Sequence, residues 1–153
     1  MRFEYIEPFV NSTKNVLKGV LRSEVASGRT SLVEGGVING EVMIIVHVAG
    51  ESEGSVILSM DSPTAVNVCS AMSGAPCASL TGEGLDIMAE LANMITGNAT
   101  SVLNDLGYDF TMSPPIVLAA TQLREKTAGV EMVRIPIRSS HGEIFVNVAM
   151  RTN

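Results

Sequence analysis

The sequence contains no tryptophan, two histidines and two cysteines, and its ten Lys and Arg residues form no cluster. Each shortage removes a class of function. Cys69 and Cys77 lie eight positions apart with no CxxC motif and no histidine nearby, so neither a zinc site nor a thioredoxin-like pair is indicated. Both read as small, semi-buried thiols. His47 falls within a strand pattern and His141 within a turn, and neither has a cysteine or carboxylate at metal-ligand spacing. No GxSxG segment offers the nucleophile elbow of a serine hydrolase. With 16 Asp and Glu against 10 Lys and Arg, and no interleaving of arginine with aromatics, the chain has no stripe suited to a phosphate backbone, which argues against nucleic acid. No apolar run reaches membrane-spanning length, and the opening Met1–Pro8 segment lacks the basic start and apolar stretch of a signal peptide. A cytoplasmic protein with no membrane partner is expected.

What is present is a chain of 153 residues, 46% of them hydrophobic, which is enough to bury one core. A single domain spanning 1–153 is expected. Pro8 suits a first helical position, and Phe9, Val10, Val16, Leu17, Val20 and Leu21 recur at helical spacing, predicting a helix over 8–22. Three β-branched runs follow over 30–38, 41–48 and 55–60, and Asn39-Gly40 and a Gly50–Gly54 loop between them signal an antiparallel meander. Asp61-Ser62-Pro63 caps a short second helix that Ser73-Gly74 ends. A long helix over 85–105 carries Leu85, Met88, Leu91, Ala92, Ile95, Ala99, Val102, Leu103 and Leu106 on its apolar side, with Gly107 as its stop. Pro114-Pro115 sets the chain into an extended path toward Ile116, and two strand patterns over 129–138 and 143–150 close the sequence.

The chain also matches itself weakly. Gly40, Met43, Val46 and Val48 align with Gly129, Met132, Ile135 and Ile137, and Gly54, Val56, Ile57 and Met60 align with Gly142, Ile144, Phe145 and Val148. With a helix before each meander, the expected fold class is α+β: duplicated α-β-β-β halves forming one six-stranded sheet with helices packed against a face.

The long helix carries a second pattern. At about 100° per residue, Asp86, Glu90, Asn93 and Gly97 fall within an arc of about 60°, opposite the apolar set. Any amphipathic helix has a solvated face, yet two residues here disfavour helix. Asn is a poor helix former, and Gly97 costs about 1 kcal/mol relative to Ala, which makes sense where another backbone comes close. An amide can accept a hydrogen bond from water while donating one to a phosphoryl oxygen, so Asn93 suits the orientation of water toward phosphorus. A carboxylate one turn away can pair with a partner's lysine and fix the helix in register.

At these residues the sequence resembles a known family. Asp86-Ile87-Met88-Ala89-Glu90-Leu91-Ala92-Asn93, followed by Met94-Ile95-Thr96-Gly97-Asn98-Ala99, is similar to the D/S-x-x-x-E-x-x-N helix signature of the CheC/CheX/FliY phosphatases. The likeness extends to the Phe9-Val10 helix, the Ser113-Pro114-Pro115 passage and the closing strands. The resemblance implies a phosphatase that removes the aspartyl phosphate of a CheY-like receiver domain in two-component signalling. Asn93 then orients the attacking water, Glu90 contacts the receiver's lysine, and Asp86 and Gly97 belong to the docking surface. It implies no cofactor of the protein's own, because Mg2+ sits in the receiver. Placing the first helix on the long one sets Asn15 on Asn93 and Gly19 on Gly97 but Ser12 on Glu90, so the first helix lacks the carboxylate. That pattern resembles the CheX type, for which the family implies a homodimer. A non-catalytic adaptor using the same face is the alternative.

Overall fold

The computed structural model describes residues 3–33, 38, 40–80, 82–118 and 131–150. Successive side chains of four long strands point to opposite faces of the sheet, and one of those faces packs against the helices. Those strands are β3 (Val42–Gly50), β4 (Gly54–Met60), β7 (Met132–Ser139) and β8 (Gly142–Met150). Residues such as Ile44, Val46, Leu58, Ile135, Val146 and Val148 point to one side. There they share a core with α1 (Phe3–Leu21), α2 (Ser62–Ser73) and α3 (Glu83–Asp105). The alternate positions Met43, Ile45, Ile57, Met132 and Ala149 form a smaller cluster on the opposite face.

Two hairpins make the centre of the sheet. β3 pairs with β4, β7 with β8, and β4 lies antiparallel to β8 from Gly54↔Met150 to Ser59↔Phe145. The expected six strands become eight among the described residues, because each edge is broken in two. β1 (Val25–Ser27) and β2 (Ser31–Val33) both pair with β7, while β5 (Phe110–Met112) and β6 (Ile116–Leu118) both pair with β3. The two breaks are alike. Between Ser27↔Ile137 and Ser31↔Arg134, three residues stand opposite two, and the same holds between Met112↔Val48 and Ile116↔Ile45. Each is a one-residue bulge. At one, the Gly28 N–H donates to the Pro136 carbonyl at 2.7 Å; at the other, the Ser113 N–H donates to the His47 carbonyl at 2.8 Å. The His47 N–H donates to Ser113 Oγ at 3.0 Å. Pro136 has no N–H to satisfy, which is why a bulge tolerates it within β7.

The predicted three-strand meander is corrected by the same pairings. β2 does not fold back onto β3 through Asn39-Gly40, of which Asn39 lies outside the described residues. It lies on β7, while the outer edge of β3 carries β5 and β6. A turn signal is local, and long-range pairing outweighed it. Gly129 of the self-match also lies outside the described residues, and β7 starts at Met132. The result is a crossover in both directions: the strand after α1 serves the β7–β8 hairpin, and the strand after α3 serves the β3–β4 hairpin.

α1 also begins earlier than the sequence suggests, and Pro8 sits inside it. The proline removes one donor from the helix. Packing offsets that loss, because Tyr5, Ile6 and Phe9 are all buried and the Tyr5 ring stands edge-on to Tyr108 and Phe110, at 5.0 and 5.1 Å between centroids.

α2 follows its sequence signals. The Thr64 N–H donates to Asp61 Oδ1 at 2.8 Å, Pro63 sits in the first turn, and Gly74 closes the helix with φ 73°. Hydrogen bonds from Thr64 hold the Asp61 carboxyl below the usual carboxylate range. A depressed pKa contributes stability that is present above the unfolded-state value and is lost as pH falls through the folded one. We therefore expect Asp61→Ala to cost about 1 kcal/mol at neutral pH, and no more, since the carboxylate is exposed. In urea unfolding, the gap between variant and parent should shrink once pH drops below about 4, and Asp61→Asn should keep most of the stability.

Candidate active site

The rotation of α3 about its axis is fixed from behind. Met88, Leu91, Ala92, Ile95, Ala99 and Leu103 are fully buried. Thr96 is buried with them, its hydroxyl satisfied by donation to the Ala92 carbonyl at 2.8 Å. Asp86, Glu90 and Asn93 consequently face outward and are exposed, while Gly97 is half-buried. Among the described residues, no side chain hydrogen-bonds or pairs with Glu90 or Asn93. The two stand one turn apart, about 4.5 Å along the axis. The helix face thus brings together all four residues singled out from the sequence.

Their surroundings differ in kind. Asp86 lies with Glu83 in the first turn, where carboxylates complement the positive end of the helix dipole, so it has a structural role whatever else it does. At Gly97 an added Cβ meets only Met112 Cε, at an ordinary 3.6 Å. Nothing within the described fold demands a glycine there.

Helical periodicity puts Val102 and Leu106 in the apolar set, but they are 44% and 63% exposed near the helix end. Beyond them the helix stops as expected, Gly107 taking φ 95°. Met94, absent from both the apolar set and the polar stripe, is 37% exposed beside Asn93. Its helical angle sets it outside the buried arc, a signal that was available. Met94 lines a groove of about 630 Å3, together with Gly19, Val20 and Arg22 at the end of α1 and Ala71 and Met72 at the end of α2. A largely apolar hollow therefore opens at Met94, the residue that follows Asn93 in the chain.

α1 offers no equivalent pair. Asn15 and Gly19 are exposed, but Ser12, which aligns with Glu90, is turned inward with 5% exposure. His47 Nδ1 lies 3.1 Å from Ser55 Oγ and His141 Nδ1 lies 3.1 Å from Ser140 Oγ, both at exposed positions. Among the described residues, no three His, Cys, Asp or Glu side chains converge as metal ligands. No described helix is long and apolar enough to cross a membrane.

Fold and helix face together define a mixed helix-and-sheet protein that holds a carboxylate and an amide outward on one fixed helix. A family model described as "Chemotaxis phosphatase CheX" matches residues 42–138, which include all of α3. The CheY-P phosphatase CheX of Thermotoga maritima is 31% identical over 141 residues, covering 92% of this chain and 90% of the relative. Among solved structures, the CheX–CheY–BeF3–Mg2+ complex from Borrelia burgdorferi matches with a TM-score of 0.80 at 31% identity, covering 98% of this chain and 99% of that one. A CheC-like superfamily protein from Shewanella sp. PV-4 matches with a TM-score of 0.84 at 26% identity, over 99% of both chains. The chain belongs to the CheX family of chemotaxis phosphatases.

Because the methyl group meets open or ordinary contacts and alanine is the better helix former, Gly97→Ala should raise stability by about 0.5–1 kcal/mol, measured by chemical denaturation. A loss of stability would show that the glycine is required by internal packing.

Proposed function

We propose that this protein hydrolyses the aspartyl phosphate of a CheY-type receiver domain, with Asn93 orienting the attacking water and Glu90 pairing with a lysine of the receiver. The observation that carries the reading is the joint exposure of Glu90 and Asn93 on a helix whose opposite side is locked into the core. The T. maritima relative is named as a CheY-P phosphatase, and the B. burgdorferi relative was solved with CheY, BeF3 and Mg2+. BeF3 has the shape and charge of a phosphoryl group, so that complex is a fitting precedent for the substrate proposed here.

The chemistry explains why so sparse a site suffices. In an acyl phosphate the leaving group is an aspartate, whose acid has a pKa of about 3.9, so it departs without a general acid. Mg2+ on the receiver neutralises charge on the phosphoryl oxygens. What is left for the second protein is to place a water in line with phosphorus. The Asn93 carbonyl oxygen accepts a hydrogen bond from that water, and its NH2 donates to a phosphoryl oxygen. The amide takes no proton, which passes to solvent or phosphate. Glu90, one turn earlier, forms a charge-assisted bond to the receiver's lysine and so sets the depth and rotation of the helix in the receiver's cleft. Asp86 and Gly97 complete the docking face, and Gly97 lets the receiver's backbone approach closely.

The self-match and the two alike edge bulges support a duplicated origin in which only the second helix kept its site. The family likeness also supports a cytoplasmic homodimer joined across a sheet edge. Leu32 on β2 and Ile116 on β6, 56% and 42% exposed at opposite edges, are the apolar residues such a joint can cover. Sedimentation at micromolar concentration tests it, and a monomer there rules the joint out.

The reaction is read as phosphate release from a phosphorylated receiver. Asn93→Ala should slow hydrolysis by about 10²-fold with receiver binding retained. Glu90→Ala should raise the half-saturating receiver concentration about tenfold, and removal of the receiver lysine should add little to that loss. Gly97→Ala, though more stable, should weaken receiver binding. Hydrolysis unchanged by Asn93→Ala would falsify the mechanism, and stable binding without accelerated hydrolysis identifies an adaptor instead.

A further inference from the structure

The fold brings together two residues that their spacing in the sequence kept apart. Cys69 lies on the buried side of α2, and the chain after Gly74 turns back over the end of that helix. Two serines hold the turn. Ser70 Oγ donates to the Val66 carbonyl at 2.8 Å and accepts from the Cys77 N–H at 2.9 Å, while Ser73 Oγ donates to the Ala75 carbonyl at 2.9 Å. Cys77 is thereby set over Cys69, with the sulfurs 2.7 Å apart. These are the only cysteines in the sequence, and both are free thiols.

We propose that Cys69 and Cys77 form a thiol-oxidation site, at which a hydroperoxide converts the pair into an intramolecular disulfide.

The two sulfurs have different roles. Cys69 is fully buried, whereas Cys77 is half-exposed and opens onto a groove of about 300 Å3 with Ser73, Pro76, Ser79, Glu83 and Ile87 in its walls. A small peroxide can reach Cys77 and not Cys69. Burial, and then the hydrogen bond with Cys77, push the Cys69 thiol pKa up. The hydrogen bond from Cys69 pulls that of Cys77 down, so Cys77 is the thiolate-forming nucleophile.

The chemistry balances. The Cys77 thiolate attacks the terminal peroxide oxygen and the O–O bond breaks, releasing an alcohol, or water from hydrogen peroxide, and leaving a sulfenic acid. The Cys69 sulfur then attacks the Cys77 sulfur, the S–O bond breaks, and the departing hydroxide takes the Cys69 proton to leave as water. Two thiols lose two electrons and the peroxide gains them. In a reducing compartment the pair rests as the dithiol.

The site is separate from the polar stripe. Gly84, on the buried arc of α3, has its added-Cβ position 3.7 Å from Cys69 Sγ, whereas Glu90 and Asn93 face the other way. The new bond pins the segment that leads into α3 without covering the docking face.

The test is thiol counting and peptide mapping of the full-length reduced protein after brief exposure to hydrogen peroxide. Expected are a fall from two titratable thiols to none, a mass lower by two hydrogens, a Cys69–Cys77 linked peptide, and a melting temperature higher by about 5–10 °C. Cys69→Ser should leave a Cys77 sulfenic acid trapped by dimedone, and Cys77→Ser should leave Cys69 at least about tenfold slower to oxidise. Two thiols persisting under conditions that oxidise free cysteine overturn the proposal, and so does a disulfide-linked dimer in place of the internal bond. Neither outcome depends on phosphatase activity.

Discussion

A helix that carries functional side chains is aimed only as well as its other side is packed, and α3 buries six apolar residues without remainder. Rotating it by one residue drives Glu90 or Asn93 toward the sheet and brings a leucine or methionine to water. That costs several kcal/mol for the large side chains alone. The core between helices and sheet is therefore also the instrument that orients the polar stripe. Thr96 illustrates the economy of the arrangement, since its hydroxyl is satisfied within the helix and needs no partner from the core.

Such rigidity matters most when little chemistry is needed from the protein itself. In the reaction proposed above, the acyl phosphate is already a reactive species, and its metal and lysine travel with the receiver. A surface that contributes one amide and one carboxylate must contribute them in register, because their effect lies in geometry rather than in proton transfer. Under the same proposal, the groove beside Met94 gives a receiver an apolar surface to meet on one flank, which separates partners by shape where the polar pair does not.

The helical stripe was legible in the sequence because a period of 3.6 is strong over 23 residues and Gly107 marks its end. Asp61, Pro63 and Gly74 announced α2 for equally local reasons. What stayed hidden depends on contacts between distant segments. Asn39-Gly40 reads as a hairpin turn, yet the partner of β2 is β7, about a hundred residues away. Pro8 reads as a helix start until Tyr108 and Phe110 are seen holding Tyr5. Cys69 and Cys77 look unrelated at a spacing of eight because the turn that unites them rests on two serine hydroxyls.

The exchange of edge strands has a consequence for inheritance. Once each portion of the chain supplies the outer rim of the other's hairpin, neither can be discarded without baring an edge of the other. Without β1 and β2, the outer rim of β7 loses its hydrogen-bonding partners and stands open to aggregation. On the duplication proposed above, the N-terminal portion, with Ser12 where Glu90 stands in α3, serves as scaffolding for its neighbour's fold whatever chemistry α1 carries.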